Sequence, residues 1–466
     1  MVKKSKQSLV LLPFILSLAS SCTVNMDFLD GQPCGQDDVC ATGYTCVHEP
    51  CGTGYLCSVC RKESQTADAG TDGADGSADA GDLDTDDTDS VGCQQPAPAC
   101  KTIPDCQDIQ PECKDGNWVC DTGYESPERS CDFLDNDCDG QTDVGLVCVL
   151  AGSKQPGLSD GRGDSAMFHS PRGLLALPDG SLLVADTSNH AIRKVTADGM
   201  VTTIAGDGQL GKVDANGMDA RFREPTGLAY SAQALVIIAD RGNHSIRSLD
   251  AQAQVATVAG SGFPGYQDGQ ADQAKFAFPS AVAIDTQGRI LVADSGNHCI
   301  RSIEGDQVGT FAGKCGFPGL ENGDLQQARF NSPIGLLVMD DGSILVSEES
   351  SQRIRIISMD GHVSTLAGNG QYGYLDGALQ DAEFANPAGL ALGPDSLVWL
   401  ADRSNNRIRT IGAQQVTSVI GSGVAGAGDG PPDLAELNGP SSVAFLTDGR
   451  LVVADTNNNA IRVWTP

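Results

Sequence analysis

The sequence predicts an all-β fold, a β-propeller of six blades, from three observations. One phrase of about 54 residues recurs six times between Leu150 and Pro466, and such a period is typical of propeller blades. Each copy contains four short apolar runs separated by turn residues. The array also begins and ends in the middle of a phrase, as in a ring whose two ends share one blade.

The four runs of each copy are interpreted as four strands, because they are rich in Val, Ile and Leu and lie between Gly, Asp, Asn and Pro. The first run follows a proline corner and is predicted to be innermost: GLLALP, GLAY, AVAID, GLLVMD, GLALG and SVAFL. The second ends in Ala-Asp in most copies, as in LLVAD and VIIAD. The third has the form AIRKV or SIRSL, and the fourth VTTIAG or VATVAG.

The phase of the array predicts a strand closure, often called velcro closure. The last copy ends at AIRVWTP, its third strand, and the stretch VCVLAG at residues 147–152 supplies the missing fourth strand. Pairing the two ends removes two open sheet edges. An open solenoid is the alternative, but it needs capping repeats and none is visible in the sequence.

The amino-acid sequence of the repeat resembles that of the NHL-repeat family. The resemblance rests on VADTSNHAIR, IADRGNHSIR, VADSGNHCIR, LADRSNNRIR and VADTNNNAIR, while the fourth blade has VSEESSQRIR, with Ser347 and Glu348 in place of Ala-Asp. It covers residues 146–466 and implies a six-bladed NHL propeller. It leaves the function open, because propellers serve as binding modules and as enzymes.

The first 22 residues predict an exported bacterial lipoprotein. Lysines precede an apolar stretch that is too short to span a bilayer, and small residues end it, as in a signal peptide. Ala19-Ser20-Ser21-Cys22 resembles a lipobox, which implies lipidation of Cys22 and a place in the outer membrane or at the cell surface. A plain secretory signal with an incidental Cys22 is the alternative.

The cysteines predict disulfide-rich modules between the signal and the propeller. Of seventeen cysteines, setting Cys22 aside leaves sixteen in even groups, which in an exported chain indicates disulfides. The first group defines a module at residues 34–60, and the second group, whose eighth cysteine is Cys148, defines a module at residues 93–145. Residues 61–92 between them are predicted to be a disordered linker, because they are dense in Asp and poor in apolar residues.

The third group is Cys299 and Cys315, which flank the last two predicted strands of the third blade. A disulfide across that hairpin and a pair of buried free thiols both fit the sequence.

The net charge of −31 argues against nucleic acid as a partner. Some propellers of this family bind RNA through a basic face, but an acidic chain offers phosphates no electrostatic attraction. For the same reason an anionic membrane surface does not attract the chain, so any membrane attachment depends on the lipid.

The segment ERSCDFLDNDCDGQTDVG, residues 128–145, predicts a calcium site. Carboxylates at alternate positions followed by a glycine turn suit a hard cation that prefers oxygen ligands. The position of the bidentate Glu of an EF-hand is Leu146, so the segment instead resembles a calcium-type motif of bacterial surface proteins, braced by Cys131 and Cys138. An acidic turn pinned by disulfides is the alternative. The candidate ligands are Asp135, Asp137, Asp139, Gln141 and Asp143.

Several recurring residues are interpreted as scaffolding, because they stand at equal positions in most blades. The Asp-x-x-Asn pairs are expected to fix their turns, the Arg of each third strand to pair with acidic side chains, and a Phe to wedge between blades. Histidines stand at the same repeat position in three blades. These positions are too far apart for the histidines to share a zinc ion, so the histidines are expected to hydrogen-bond within their own turns. They are His190, His244 and His298.

Binding residues are sought where the blades differ. An acidic, aromatic rim would suit a peptide, a glycan or a cationic group. Ordinary loop packing explains the same residues equally well. The candidates are His169, Tyr266, Glu348, Glu349, Tyr372 and Tyr374.

The function predicted from these features is non-catalytic. A propeller carried on a lipid anchor would bind or scaffold a cell-envelope or extracellular protein, peptide or glycan, in an unknown oligomeric state. The alternative is a metal-dependent propeller enzyme, a lyase or lactonase with its site in the central channel. The predicted innermost strands contain no histidine for such a lyase, and no nucleophile elbow or phosphate loop appears in the sequence.

Overall fold

The computed structural model describes residues 44–50, 56–62, 112–114, 117–119, 131 and 145–466. The chain divides into two units, Met1–Gln107 with Pro111–Val119, and Asp108–Gln110 with Cys120–Pro466. The described residues of the first unit form two antiparallel hairpins, Tyr44–Pro50 with Leu56–Lys62 and Glu112–Lys114 with Asn117–Val119. In this described part of the chain, no helix is long and apolar enough to cross a membrane.

Residues 145–466 form a six-bladed β-propeller, as the repeat predicts. We number the blades 1 to 6 along the chain and label the strands of each blade A to D from the inside outward. The A strands are Pro171–Ala176, Pro225–Tyr230, Pro279–Ile284, Pro333–Val338, Pro387–Leu392 and Pro440–Phe445. The B strands are Leu182–Asp186, Val236–Asp240, Ile290–Asp294, Ile344–Glu348, Val398–Asp402 and Leu451–Asp455. The C strands are Ala191–Val195, Ser245–Leu249, Cys299–Glu304, Arg353–Ile357, Arg407–Ile411 and Ala460–Trp464. The D strands are Met200–Ala205, Val255–Ala259, Gln307–Ala312, His362–Ala367, Gln415–Ile420 and Val147–Ala151.

The six A strands surround a central channel. Each A strand pairs with its own B strand on one side only, so its other edge faces the axis. Each A strand also contacts the A strands of both neighbouring blades, and this chain of contacts runs around the whole ring. A 3-10 turn follows strand B in five blades: Thr187–Asn189, Arg241–Asn243, Ser295–Asn297, Arg403–Asn405 and Thr456–Asn458.

The predicted strand closure is confirmed. Strand Val147–Ala151 pairs antiparallel with Ala460–Trp464 and completes blade 6, with Val147 opposite Trp464. The backbone N–H of Gly145 also donates to the carbonyl of Thr465 at 2.8 Å. The first and last residues of the propeller are therefore held together by a regular sheet.

The outer edge of each blade is covered by the long loop that leads into its A strand. Two-residue strands from this loop pair with strand D, and single bridges replace them in blades 2 and 6. Covering the edge protects it from pairing with another chain. The short strands are Gly161–Arg162, Gly269–Gln270, Gly323–Asp324 and Gly377–Ala378. Two further 3-10 turns in these loops are Gly163–Ser165 and Gly217–Asp219.

The core consists of six apolar clusters, each between two neighbouring blades. One wedge residue from each long loop is completely buried in a cluster, which confirms the predicted role of these residues. The wedges are Phe168, Phe222, Phe276, Phe330, Phe384 and Leu437.

A buried arginine ties the parts of each blade together, as the sequence predicts. In blade 1, Arg193 is fully buried and donates to Asp186 at 2.7 Å and to Asp160 of the long loop at 2.9 Å. Asn189 donates to the same Asp186 at 2.8 Å, and Asp186 also accepts the backbone N–H of His169 at 2.8 Å. The Asp-x-x-Asn pair thus reaches well beyond its own turn and holds the long loop against the sheet.

Burial raises the pKa of Asp186, while its contacts with Asn189, His169 and Arg193 oppose that rise. All of these contacts are hydrogen-bond donors, so they favour the ionised carboxylate.

The recurring histidines differ from the expectation that they bond within their own turns. The ring nitrogen Nδ1 of His190 accepts the backbone N–H of Glu224, in the next blade, at 3.2 Å. His244 accepts from Phe278 and His298 from Ser332 in the same way, each at 3.1 Å. Gln352, Asn406 and Asn459 make the equivalent bond in blades 4 to 6. These residues therefore link neighbouring blades, and the bond from the Ser170 backbone N–H to Asn459 Oδ1 closes the ring.

Two disulfides involve residue 131 and residues 145–466, the part of the chain whose side chains are described. Cys299 and Cys315 are bonded across the last hairpin of blade 3, which is one of the two alternatives that the sequence allowed. Cys131 is bonded to Cys148 in the closing strand, so it joins the segment before the propeller to the ring itself.

Candidate functional site at the channel mouth

The second residue of strand A changes its chemistry around the ring. Blade 1 has Arg172 at this position, whereas the other blades have small or aliphatic residues there. These are Thr226, Ser280, Ile334, Ala388 and Ser441. Because the A strands surround the channel, Arg172 brings a single long cationic side chain to its entrance.

The residue directly after strand B also changes its chemistry. In blades 1, 3 and 6 it is a hydroxyl residue that donates to the carbonyl of the proline beginning the next A strand, as Thr187 does to Pro225 at 2.7 Å. In blades 2, 4 and 5 it is charged: Arg241, Glu349 and Arg403. The hydroxyls therefore serve the scaffold, while the three charged side chains contribute to the channel entrance.

These positions enclose a cavity of about 300 Å³ on the propeller axis. All six blades line it, with the charged and hydroxyl side chains above a ring of aliphatic residues. The aliphatic ring consists of Leu174, Leu228, Val282, Leu336, Leu390 and Val443. A concave, mostly apolar site with a few polar groups is the usual form of a small-molecule site.

We call the charged group at this entrance the channel mouth: Arg172, Arg241, Arg403, Glu224 and Glu349. Arg241 forms an ion pair with Glu224 at 3.3 Å, and Arg403 pairs with Glu349 at 3.1 Å. Arg172 forms no ion pair within residues 145–466, and its Nε atom is buried without a hydrogen-bond partner. The mouth therefore has one cation more than it has carboxylates, in a chain of net charge −31.

Burial is the main cause that lowers the pKa of Arg172, to about 10, and repulsion from Arg403 and Arg241 adds to it. Glu349 and Glu224 act in the opposite direction. Arg172 is still protonated at neutral pH, so the channel mouth holds a partly desolvated positive charge.

The structure divides the predicted binding residues into three groups, of which the first is the acidic pair. Glu349 lines the cavity, while the neighbouring Glu348 is completely buried. The Glu348 carboxylate accepts from the backbone of Asn331 at 2.7 Å and from Ser351 at 2.6 Å, and it pairs with Arg355 at 3.4 Å. Glu348 thus replaces the scaffold Asp of the other blades and presents no atom to a ligand.

The aromatic residues lie outside the cavity lining. Tyr266 bonds to Thr310 of an outer strand at 3.1 Å, and Tyr374 lies under Arg407, whose guanidinium carbon is 4.3 Å from the ring centre. Both therefore support the periphery of their blades.

Tyr372 is 64% exposed on the long loop of blade 5, and His169 is exposed before strand A of blade 1. The entrance of the channel is thus cationic, not the acidic and aromatic rim that the sequence suggested.

Other predicted site residues lie outside the described residues. These are the lipidation candidate Cys22 and the calcium candidates Asp135, Asp137, Asp139, Gln141 and Asp143. Among the residues that the structure does describe, no group of three or more His, Cys, Asp or Glu side chains is arranged to hold a metal ion.

Three arginines of the channel mouth, Arg172, Arg241 and Arg403, escaped the sequence analysis. Their signal is present when the six copies are aligned, because each replaces a small residue of the equivalent position in other blades. The alignment does not show that the second residue of strand A and the residue directly after strand B lie at the channel entrance.

Comparison with known proteins agrees with this fold. Residues 276–301 and 437–464 match the family model described as NHL repeat. The chain thus contains NHL repeats within a six-bladed propeller.

Two curated proteins illustrate the similarity. The chain is 29% identical over 282 residues to Protein SUPPRESSOR OF QUENCHING 1, chloroplastic, of Arabidopsis thaliana, an alignment that covers 56% of this chain and 27% of that protein. It is 28% identical over 323 residues to NHL repeat-containing protein 2 of Bos taurus, covering 60% of this chain and 44% of that protein. The chain thus spans less than half the length of either relative.

A solved structure shows the same fold. It is an auxiliary nutrient binding protein from Bacteroides thetaiotaomicron, with a TM-score of 0.54 and 14% identity, covering 68% of this chain and 75% of that one.

Proposed function

We propose that this chain is a non-catalytic binding module whose ligand site is the cavity at the channel mouth. One observation carries the proposal: all six blades line a cavity of about 300 Å³ with an aliphatic floor and a charged entrance, and the residues at that entrance differ from blade to blade. Scaffold positions repeat from blade to blade, whereas a site for one ligand requires different groups in different blades.

The chemistry of the lining suits binding. It offers aliphatic surface, hydroxyl groups, three arginines and Glu349. The inner edges of the A strands add backbone groups that are not paired within a sheet. Apolar contact supplies affinity, and the few polar groups at the entrance orient the ligand.

The place of the module in the cell is part of the same proposal. Lipidation of Cys22 would hold the propeller in the bacterial envelope, where envelope or extracellular molecules reach the channel mouth. Loss of radiolabelled fatty acid incorporation in Cys22→Ser tests this attachment.

The segment from Asp135 to Asp143 would bind calcium and stiffen the connection to the ring. Equilibrium dialysis with Ca²⁺, comparing the parent protein with Asp137→Asn, tests that role.

A thermal-shift comparison of two variants tests the site. Ile334 occupies the position equivalent to Arg172 and lines the cavity, so Ile334→Trp adds bulk where a long side chain is already accommodated in blade 1. Leu210→Trp is the matched control, since Leu210 is 61% exposed on a loop. The full chain and both variants are screened with organic acids, amines, oligosaccharides and short peptides.

We expect ligands that raise the Tm of the parent and of Leu210→Trp but not of Ile334→Trp. Ligands that stabilise all three proteins equally would place binding elsewhere and contradict the proposal. Mass spectrometry of the recovered ligand completes the test, because a chemically altered ligand would support the metal-dependent enzyme instead.

A further inference from the structure

Arg172, the cation of the channel mouth that has no ion pair within residues 145–466, points to the chemistry of the ligand. Leaving a partly buried guanidinium without a partner is costly, because its lost hydration is not replaced. Arg241 and Arg403 each have a glutamate at ion-pair distance, and Arg172 has none within residues 145–466. A ligand with a negative charge beside Arg172 would give each of the three arginines of the channel mouth an ion-pair partner.

The number of charges limits that ligand to one negative charge. The mouth contains three arginines and two glutamates, so one anionic group neutralises it. A second negative charge would face Glu224 and Glu349 without a free cation. A carboxylate therefore suits the mouth better than a phosphate monoester, which carries about −1.5 to −2 at pH 7.

The floor of the cavity determines the rest of the ligand. Below the charged entrance lie the six aliphatic residues from Leu174 to Val443, which offer no charge. They provide apolar surface for an alkyl or similar apolar body. The planar guanidinium of an arginine also matches a carboxylate through two parallel hydrogen bonds.

We propose that the channel mouth binds a small amphipathic monocarboxylate, with the carboxylate on Arg172 and the apolar body against the aliphatic ring. This inference rests on the proposed function and specifies the ligand of that site. Arg241 and Arg403 contribute positive potential, while their glutamate partners exclude dianions. The exposed side chains Tyr372 and His169 take no part in the contact.

Three probes of equal chain length test the proposal by isothermal titration calorimetry on the full chain: octanoate, octylamine and octanol. Their alkyl chains differ by no more than one methylene, and their head groups are an anion, a cation and a neutral hydroxyl. We expect octanoate to bind, octanol to bind at least about tenfold more weakly, and octylamine more weakly still.

Arg172→Thr tests the residue, because Thr226 occupies the same position in blade 2 and the fold accepts it there. We expect octanoate binding to weaken by about tenfold or more, while octanol binding stays unchanged. Arg172→Lys keeps the charge and should retain more octanoate affinity than Arg172→Thr. Arg162→Thr removes the same charge from an exposed pair with Asp198 at the outer edge of blade 1 and should leave binding unchanged.

The outcomes separate the two proposals. If octanoate and octanol bind equally, or if Arg172→Thr leaves octanoate binding unchanged, the carboxylate assignment is wrong. If octanoate does not bind while other compounds still depend on the cavity through Ile334→Trp, the assignment is wrong and the binding function stands. If octanoate binds equally well to Ile334→Trp, the site itself is misplaced and both proposals fail. Circular dichroism and the Tm of each variant show whether it is folded.

Discussion

At the scale of single residues, one position links each blade to the next. This position ends the turn after strand B and has a left-handed backbone conformation. Its side chain accepts a hydrogen bond from a backbone N–H of the neighbouring blade. Three blades use histidine and three use an amide side chain for the same bond. Only the histidines change their charge near neutral pH, so half of these links depend on pH.

Acid should weaken the ring through these histidines. Burial lowers the pKa of His190, His244 and His298 below the ordinary 6.5. Glu224 opposes this effect at His190, whereas Arg223 and Arg241 add to it at His244. The unfolded chain therefore binds protons more readily than the folded one. The contribution of these histidines to the free energy of unfolding is therefore complete above about pH 6.5 and falls as the pH drops below that value.

Replacing all three histidines by asparagine tests this prediction, because blades 5 and 6 already use asparagine at the same position. We expect the variant to keep the stability of the parent at pH 8 and to lose less of it between pH 7 and pH 5. Urea unfolding at several pH values provides the measurement. Parallel curves for parent and variant would mean that other groups control the acid response. His362→Asn, at an exposed position in an outer strand, is the control.

At the scale of elements, the A strands lie so close together that the third residue of each must be small. In four blades it is glycine, and in the others it is Ala281 or Ser442. A Cβ atom on Gly173 would lie 1.8 Å from the carbonyl oxygen of Thr226 in the next A strand. Backbone cannot yield as a flexible side chain does, so this contact limits the width of the channel and of its cavity.

Gly173→Ala should therefore destabilise the ring strongly. We expect a loss of about 3 kcal/mol in the free energy of unfolding, at the upper end of the range for overpacking. Gly309→Ala is the matched control, because the nearest atom to its Cβ is Ser302 Oγ at 3.9 Å. Denaturant unfolding of both variants provides the comparison, and equal stabilities would show that the A strands separate without cost.

At the scale of the whole molecule, the ring depends on its closing strand. Ala460–Trp464 lies between strand B of blade 6 and the closing strand Val147–Ala151. Removing residues 460–466 leaves both neighbours with open edges and breaks the contact between the two ends.

We expect that deletion to replace one cooperative thermal transition by a broad one and to promote aggregation. Calorimetry and light scattering measure these effects. Deleting Pro466 alone, which is exposed at the end of the chain, should change neither. A sharp transition in the longer deletion would mean that blades 1 to 5 are stable as an open array.

The sequence predicts much of the fold because the strand and turn pattern of one blade recurs six times along the chain. The strand pattern, the closure by residues 147–152 and the wedges such as Phe168 and Phe222 follow from period, hydrophobicity and phase, which are properties of the linear chain. The tertiary structure was needed for relations between blades, such as the bond from the Glu224 backbone N–H to His190 Nδ1, because its partners are distant in sequence and share no local pattern.

The channel mouth also belongs to what the tertiary structure decided. Arg172, Arg241 and Arg403 are exceptions at two repeat positions, and the repeat does not show that these two positions lie at the channel entrance. Their common location depends on which end of each A strand opens at the entrance. Pairs such as Arg403 with Glu349, 54 residues apart, leave Arg172 without an ion pair within residues 145–466. The repeated sequence thus determines the six-bladed ring. Closure of that ring brings the charged residues that depart from the repeat together at the channel mouth.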